Sequence, residues 1–135
     1  MVYITRKAHF CASHRLYNPD WSEEKNYAVF GKCNNPNGHG HNYDLEVTVA
    51  GRPPAESGMV MDLKKLADII EEEVVERVDH KHLNLDVDFM KGIIPTAENM
   101  AIELWKILDP KITGGKLYSI KVYESGNNFV EYRGE

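Results

Sequence analysis

The stretch HNYDLEVTVAG, residues 41–51, sets His41, Tyr43, Leu45, Val47 and Val49 on one face and Asn42, Asp44, Glu46 and Thr48 on the other. A period of two between apolar and polar side chains is that of a half-buried β-strand. Should the strand begin two residues early, His39 joins the face of His41. Upstream, YITRKAHFCASHRL (3–16) alternates in the same way, with Ala8, Phe10, Ala12 and His14 on one side and Lys7, His9, Cys11 and Ser13 on the other. Between these strands the polar segment YNPDWSEEKNYAVFGK (17–32) reads as a loop or a short helix.

Downstream the period changes. GRPPAESG (51–58) is a turn by its Gly and Pro content. In MDLKKLADIIEEEVVERV (61–78), Leu63, Leu66, Ala67, Ile70, Val74 and Val78 recur at helical spacing behind Asp62, a residue suited to an N-cap. DHKHLNLDVDFMKGIIP (79–95) sustains no period and reads as a connection. PTAENMAIELWKIL (95–108) predicts a second helix capped by Thr96, with Glu98 in its first turn and a stripe of Ala97, Met100, Ala101, Leu104 and Leu108. KLYSIKVYES, GNN and FVEYRG then form strand, turn and strand. The order strand, strand, helix, helix, strand, strand predicts one α+β domain over residues 1–135, a four-stranded antiparallel sheet with two helices on one face. Such a sheet has two edges, and continuing it from subunit to subunit would remove them.

Composition narrows the function. With 21 acidic against 16 basic side chains and a net charge of -5, the chain has no basic patch for nucleic acid or an anionic membrane. No apolar run approaches the ~18 residues of a membrane span. The opening MVYITRKAHF lacks the order of a secretory leader, which places the protein in the cytoplasm. There, Cys11 and Cys33, the two cysteines present, stay reduced.

The chemistry concentrates in GKCNNPNGHGHNY (31–43). His39 and His41 project from one strand face, and His14 ends the apolar row of a strand able to pair alongside. Three neutral imidazoles with a vacant fourth position describe a catalytic zinc site; adding Cys33 as fourth ligand would make a closed structural one. Three core histidines without metal are the plain alternative. Cys11, on the face opposite His14, reads as a small packing residue. Glu124 follows Tyr118, Ile120 and Val122 on a face expected to be buried, where its carboxylate needs two adjacent N–H donors. An arginine, a pterin or a guanine offers such a pair, unless the strand end is simply exposed. VDHKHLN supplies Asp79, His80 and His82 after the first helix. An Asp-ordered imidazole beside a thiol raises its thiolate fraction, while Asp79 as a plain helix cap is the competing reading.

Together FCASHRL, FGKCNNPNGHGHNY, GMVMDL, VDHKHLN, PTAEN, VYES and VEYRGE, in this order over nearly the whole chain, resemble the 6-pyruvoyl tetrahydropterin synthase family and its 6-carboxytetrahydropterin synthase relatives. The resemblance implies the tunnelling fold, with trimers stacked into a hexameric barrel and sites between subunits. It implies one zinc ion per subunit on His14, His39 and His41, and Cys33, Asp79 and His80 as catalytic triad. Gly38 and Gly40 would permit close approach to the metal. Glu124 would anchor the pterin, with Thr96 nearby. The implied reaction is that of a lyase: 7,8-dihydroneopterin triphosphate becomes 6-pyruvoyl tetrahydropterin with loss of triphosphate, which Mg2+ would accompany. The alternative product is 6-carboxytetrahydropterin, of the queuosine route, with acetaldehyde released. Five residues separate Cys33 from His39, a spacing that resembles the pyruvoyl enzymes. A zinc- or pterin-binding module with an idle Cys33 is the non-catalytic alternative.

Overall fold

The computed structural model describes residues 1–135, and its frame is two long strands. β1 (Val2–His14) and β2 (His39–Gly51) pair antiparallel along their full lengths, from Val2 opposite Gly51 to His14 opposite His39. Alternation decides which face each residue takes: Phe10, Ala12 and His14 of β1 and Tyr43, Leu45, Val47 and Val49 of β2 are buried. The other face carries polar cross-strand pairs such as Thr5 with Thr48 at 2.8 Å and Lys7 with Glu46 at 3.8 Å. Exposed pairs of this kind contribute at most about 1 kcal/mol, so the apolar face dominates.

Helix α1 (Glu23–Phe30), capped by Ser22, and a 3-10 turn (Gly31–Asn34) occupy the connection between the long strands. After β2, α2 (Leu63–Ile70) starts at Asp62, whose carboxylate accepts the Lys64 amide at 2.9 Å. It runs through a π-helical turn (Glu71–Val75) into α3 (Glu76–Val78). The wider turn takes up one residue, so Val74 and Val75 both face inward. Leu63, expected in the buried stripe, is 42% exposed. Helix α4 (Ala97–Leu108) follows its prediction: Thr96 Oγ1 accepts the Asn99 amide at 3.2 Å, and Ala97, Met100, Ala101, Leu104 and Leu108 are all buried.

The sheet differs from expectation in its strand count. β4 (Lys116–Tyr123) and β5 (Phe129–Tyr132) form the predicted hairpin, but the order β3-β1-β2-β4-β5 includes a fifth strand. β3 (Lys81–His82) pairs parallel to β1, Ala12 with Lys81 and Ser13 with His82. Two residues are too few to show a period, so this strand lay hidden within the connection. A second departure is a bulge: Thr48 pairs with Ser119 and Val49 with Leu117, leaving Tyr118 without an opposite number. Leu117 therefore joins Ile120 and Val122 on the buried face in place of Tyr118. The helices and this face close around a cluster of 24 buried residues. Each fully buried Leu or Ile there contributes roughly 1.5–3 kcal/mol. No helix is long and apolar enough to cross a membrane.

Candidate metal centre and its surroundings

The register of the long strands builds the centre. His14 stands opposite His39, and His41 is two residues further along β2 on the same face, opposite Ala12. Their ligand atoms lie within 4.8 Å of one another, and the cluster includes no thiol. His14 is fully buried; His39 and His41 are half-buried. The Pro95 carbonyl lies 2.8 Å from His14 Nδ1, and since a carbonyl only accepts, Nδ1 carries the proton. That leaves the Nε2 lone pair free, 3.1 Å from His39 Nε2. Two nitrogens bound tetrahedrally to one ion at about 2.0–2.1 Å stand roughly 3.4 Å apart, so a small shift suffices to accept a metal.

Two further observations fit a metal. His41 Nε2 is the one buried side-chain nitrogen or oxygen with no hydrogen-bond partner, an arrangement that costs roughly 1–3 kcal/mol unless something binds there. Burial, aided by the charge that the neighbouring histidines would carry, lowers the His14 pKa to about 4 despite the opposing Pro95 hydrogen bond. His39 is lowered too, by burial and then by His41, against the opposing pull of Glu124. Both rings are thus neutral near pH 7, the form that binds metal.

The surrounding groups hold this geometry. Gly38 has φ +73°, and a Cβ there would come within 2.8 Å of the His14 carbonyl oxygen and 3.0 Å of His82 Nε2. Glycine is required at this turn. Gly40 is not so constrained, since its Cβ would meet only the Ala12 oxygen at 3.5 Å. The Tyr43 hydroxyl lies 3.3 Å from His14 Nδ1, and burial followed by the charge of Glu124 pushes its pKa up. Glu124 is half-buried just beyond β4, close enough for its charge to act on both His39 and Tyr43. Thr96 adjoins the Pro95 carbonyl that orients His14. Pro95 contributes a backbone group, which side-chain patterns do not reveal.

Asp79 and His80 form a second unit. Asp79 Oδ1 accepts the Cys11 amide at 2.9 Å and Oδ2 lies 2.9 Å from His80 Nδ1. The Cys11 hydrogen bond, then that to His80, lowers the Asp79 pKa. His80 has φ +61°, unusual for a residue with a Cβ, and its amide donates to the Cys11 carbonyl. The Asp79 carboxylate therefore orders an imidazole, rather than capping the helix it follows.

The third predicted member of that unit belongs to another element. Cys33 lies on the 3-10 turn, half-buried, its carbonyl accepting the Leu16 amide at 2.8 Å. His80 lines two cavities, of about 510 and 440 Å3, and Cys33 lines neither. The thiol that shares both is Cys11, which donates to Asn42 Oδ1 at 2.9 Å on the open sheet face. Cys11 is thus a partly exposed polar contact, not the packing residue expected.

Comparison with known proteins gives a consistent picture. The family profile described as 6-pyruvoyl tetrahydropterin synthase matches residues 3–135. A human protein named 6-pyruvoyl tetrahydrobiopterin synthase is 47% identical over 132 residues, 98% of this chain and 91% of its own. The structure of Caenorhabditis elegans 6-pyruvoyl tetrahydropterin synthase superposes with a TM-score of 0.93 at 39% identity, covering 99% of this chain and 96% of that one. A Rickettsia bellii protein named 6-carboxy-5,6,7,8-tetrahydropterin synthase is 31% identical over 150 residues, 97% of this chain and 99% of its own.

Proposed function

Because the chain belongs to the 6-pyruvoyl tetrahydropterin synthase family, we propose that it is the zinc-dependent lyase converting 7,8-dihydroneopterin triphosphate to 6-pyruvoyl tetrahydropterin. The observation that carries this reading is the cluster of His14, His39 and His41, with one orphaned ring nitrogen and no thiol. Three imidazoles leave a tetrahedral ion one open position, as catalytic sites do. A zinc ion held there would supply Lewis acidity to the hydroxyls of the substrate side chain and acidify the adjoining C–H bonds.

The remaining work falls to the chain's own groups. Cys33, as thiolate, takes a carbon-bound proton from the side chain. His80, its Nδ1 ordered by Asp79, serves as the partner that carries protons to and from that thiol. Glu124 accepts two parallel hydrogen bonds from the amino group and ring N–H of the pterin, with the Thr96 segment beside it. Electron density moves from the side chain into the ring as triphosphate leaves, so oxidation of one balances reduction of the other and no external oxidant is needed. Cys33 lines neither of the 510 and 440 Å3 cavities that His80 lines, and a homohexamer with sites between subunits would bring the two groups together. We assign the enzyme to the cytoplasm, with Mg2+ accompanying the triphosphate.

The pyruvoyl product is favoured over the 6-carboxy product by 47% against 31% identity to relatives so named. Product mass, together with an acetaldehyde assay, decides between them: a pyruvoyl product without acetaldehyde is expected, and stoichiometric acetaldehyde would reverse the assignment. Cys33→Ala should keep zinc and pterin binding yet lose turnover by about 10³-fold, the scale of removing an essential proton-transfer group. Full turnover in that variant would leave Cys33 without a catalytic role.

A further inference from the structure

The turn carrying Cys33 is only four residues long, with no side-chain cap at its start. Its attachment to the end of β1 runs through Arg15 and Leu16. Arg15, next to His14, donates from Nε to the Asn34 carbonyl at 2.8 Å and from Nη2 to Asn34 Oδ1 at 3.1 Å. Two bonds from one planar guanidinium fix the rotation of the turn as well as its distance. The adjacent Leu16 amide adds the bond to the Cys33 carbonyl. From the other side Asn84 closes on the Arg15 backbone, accepting its amide at 2.8 Å and donating to its carbonyl at 2.9 Å. The guanidinium lies 4.1 Å over the Tyr17 ring and 3.7 Å from Glu23, and its side chain is only 18% exposed. A solvated arginine needs none of this.

We infer that Arg15 is a positioning residue, clamping the Cys33 turn to the strand end that carries His14 and to the loop that follows His80 and His82. The inference rests on the proposed role of Cys33 and deepens it. Lysine at position 15 keeps the charge but loses the fork, which lets the turn rotate while leaving the histidine cluster in place. A displacement near 1 Å costs on the order of 10²-fold in rate, with little effect on binding.

The test compares holoenzyme and its Arg15→Lys variant. Expected are unchanged zinc content, KM within about twofold, and kcat lowered by about 10- to 100-fold. Alkylation by iodoacetamide, followed by mass spectrometry with Cys11 of β1 as internal reference, should show Cys33 of the variant reacting several times faster than in the wild type. Asn34→Ala, which removes only the Nη2 contact, should shift both readouts in the same direction by less and decides the matter if Arg15→Lys fails to fold. Zinc lost in step with activity would overturn the inference, since Arg15 would then act through His14. An unchanged Cys33 to Cys11 alkylation ratio would overturn it as well. If the wild type turns over no pterin substrate, the proposed function falls, yet the alkylation ratio still decides whether Arg15 holds the turn.

Discussion

The histidine cluster and the proposed proton-transfer groups are built on opposite plans. Three histidines meet because one continuous ladder places His14 opposite His39, with His41 two residues on, and Pro95 locks the first ring. Everything they need lies within one chain. Asp79 and His80 are equally well ordered by Cys11, but the thiol they are expected to serve sits on a separate turn and shares neither of their cavities. On the proposed function, metal binding should persist where proton transfer fails, and the second should require association of copies while the first should not.

The sharpest way to break this contrast is at His41. His41→Ala should release the metal and lower turnover by about 10²–10³-fold, because Lewis-acid stabilisation is worth several kcal/mol. Metal analysis beside a turnover assay checks both halves, and a fully loaded, active variant would remove the cluster from the mechanism. Mixing Cys33→Ala with His80→Ala subunits after dissociation probes the other region. If the groups meet across an interface, random reassembly restores about a quarter of the sites, while each variant alone stays inactive. No recovery from reassembled mixtures would place both groups in one subunit.

Acid should then reveal the cost of burying neutral histidines. The folded-state pKa of His14 is depressed to about 4 from 6.5, so as pH falls the unfolded chain takes up the proton first. Metal-free protein should hold its stability above pH 6.5 and lose roughly 3 kcal/mol between there and pH 4 on this account, read by urea denaturation at successive pH values. A flat profile would contradict the burial of that ring. The smallest effect is expected from Gly38→Ala, which forces a Cβ into the left-handed region against the His14 carbonyl. It should cost about 2 kcal/mol, seen as a lowered Tm, and weaken metal binding. Gly40→Ala is its control, with open contact distances and little expected change.

Much of this was legible from residues alone where the signal is local. The period of two from Tyr3 to His14 and from His39 to Val49 assigned faces that burial bears out, including the placement of all three histidines on one side. Thr96 and Asp62 cap as their types suggested. Less was legible where a single extra residue or pair changes the outcome: the bulge that displaces Tyr118, the π-helical turn that admits Val75, and the two-residue β3. None of these leaves a periodic trace.

Side-chain type and alternation determine that two strands meet on a shared apolar face and that imidazoles end it, because strand geometry converts spacing into direction without help from the rest of the chain. Only the packed chain decides that Pro95 selects the His14 tautomer, that Arg15 grips Asn34, and that Cys11, not Cys33, shares the two cavities lined by His80. Those are contacts between segments distant in sequence, fixed by how helices and loops close over the sheet, and spacing along the chain carries no information about them.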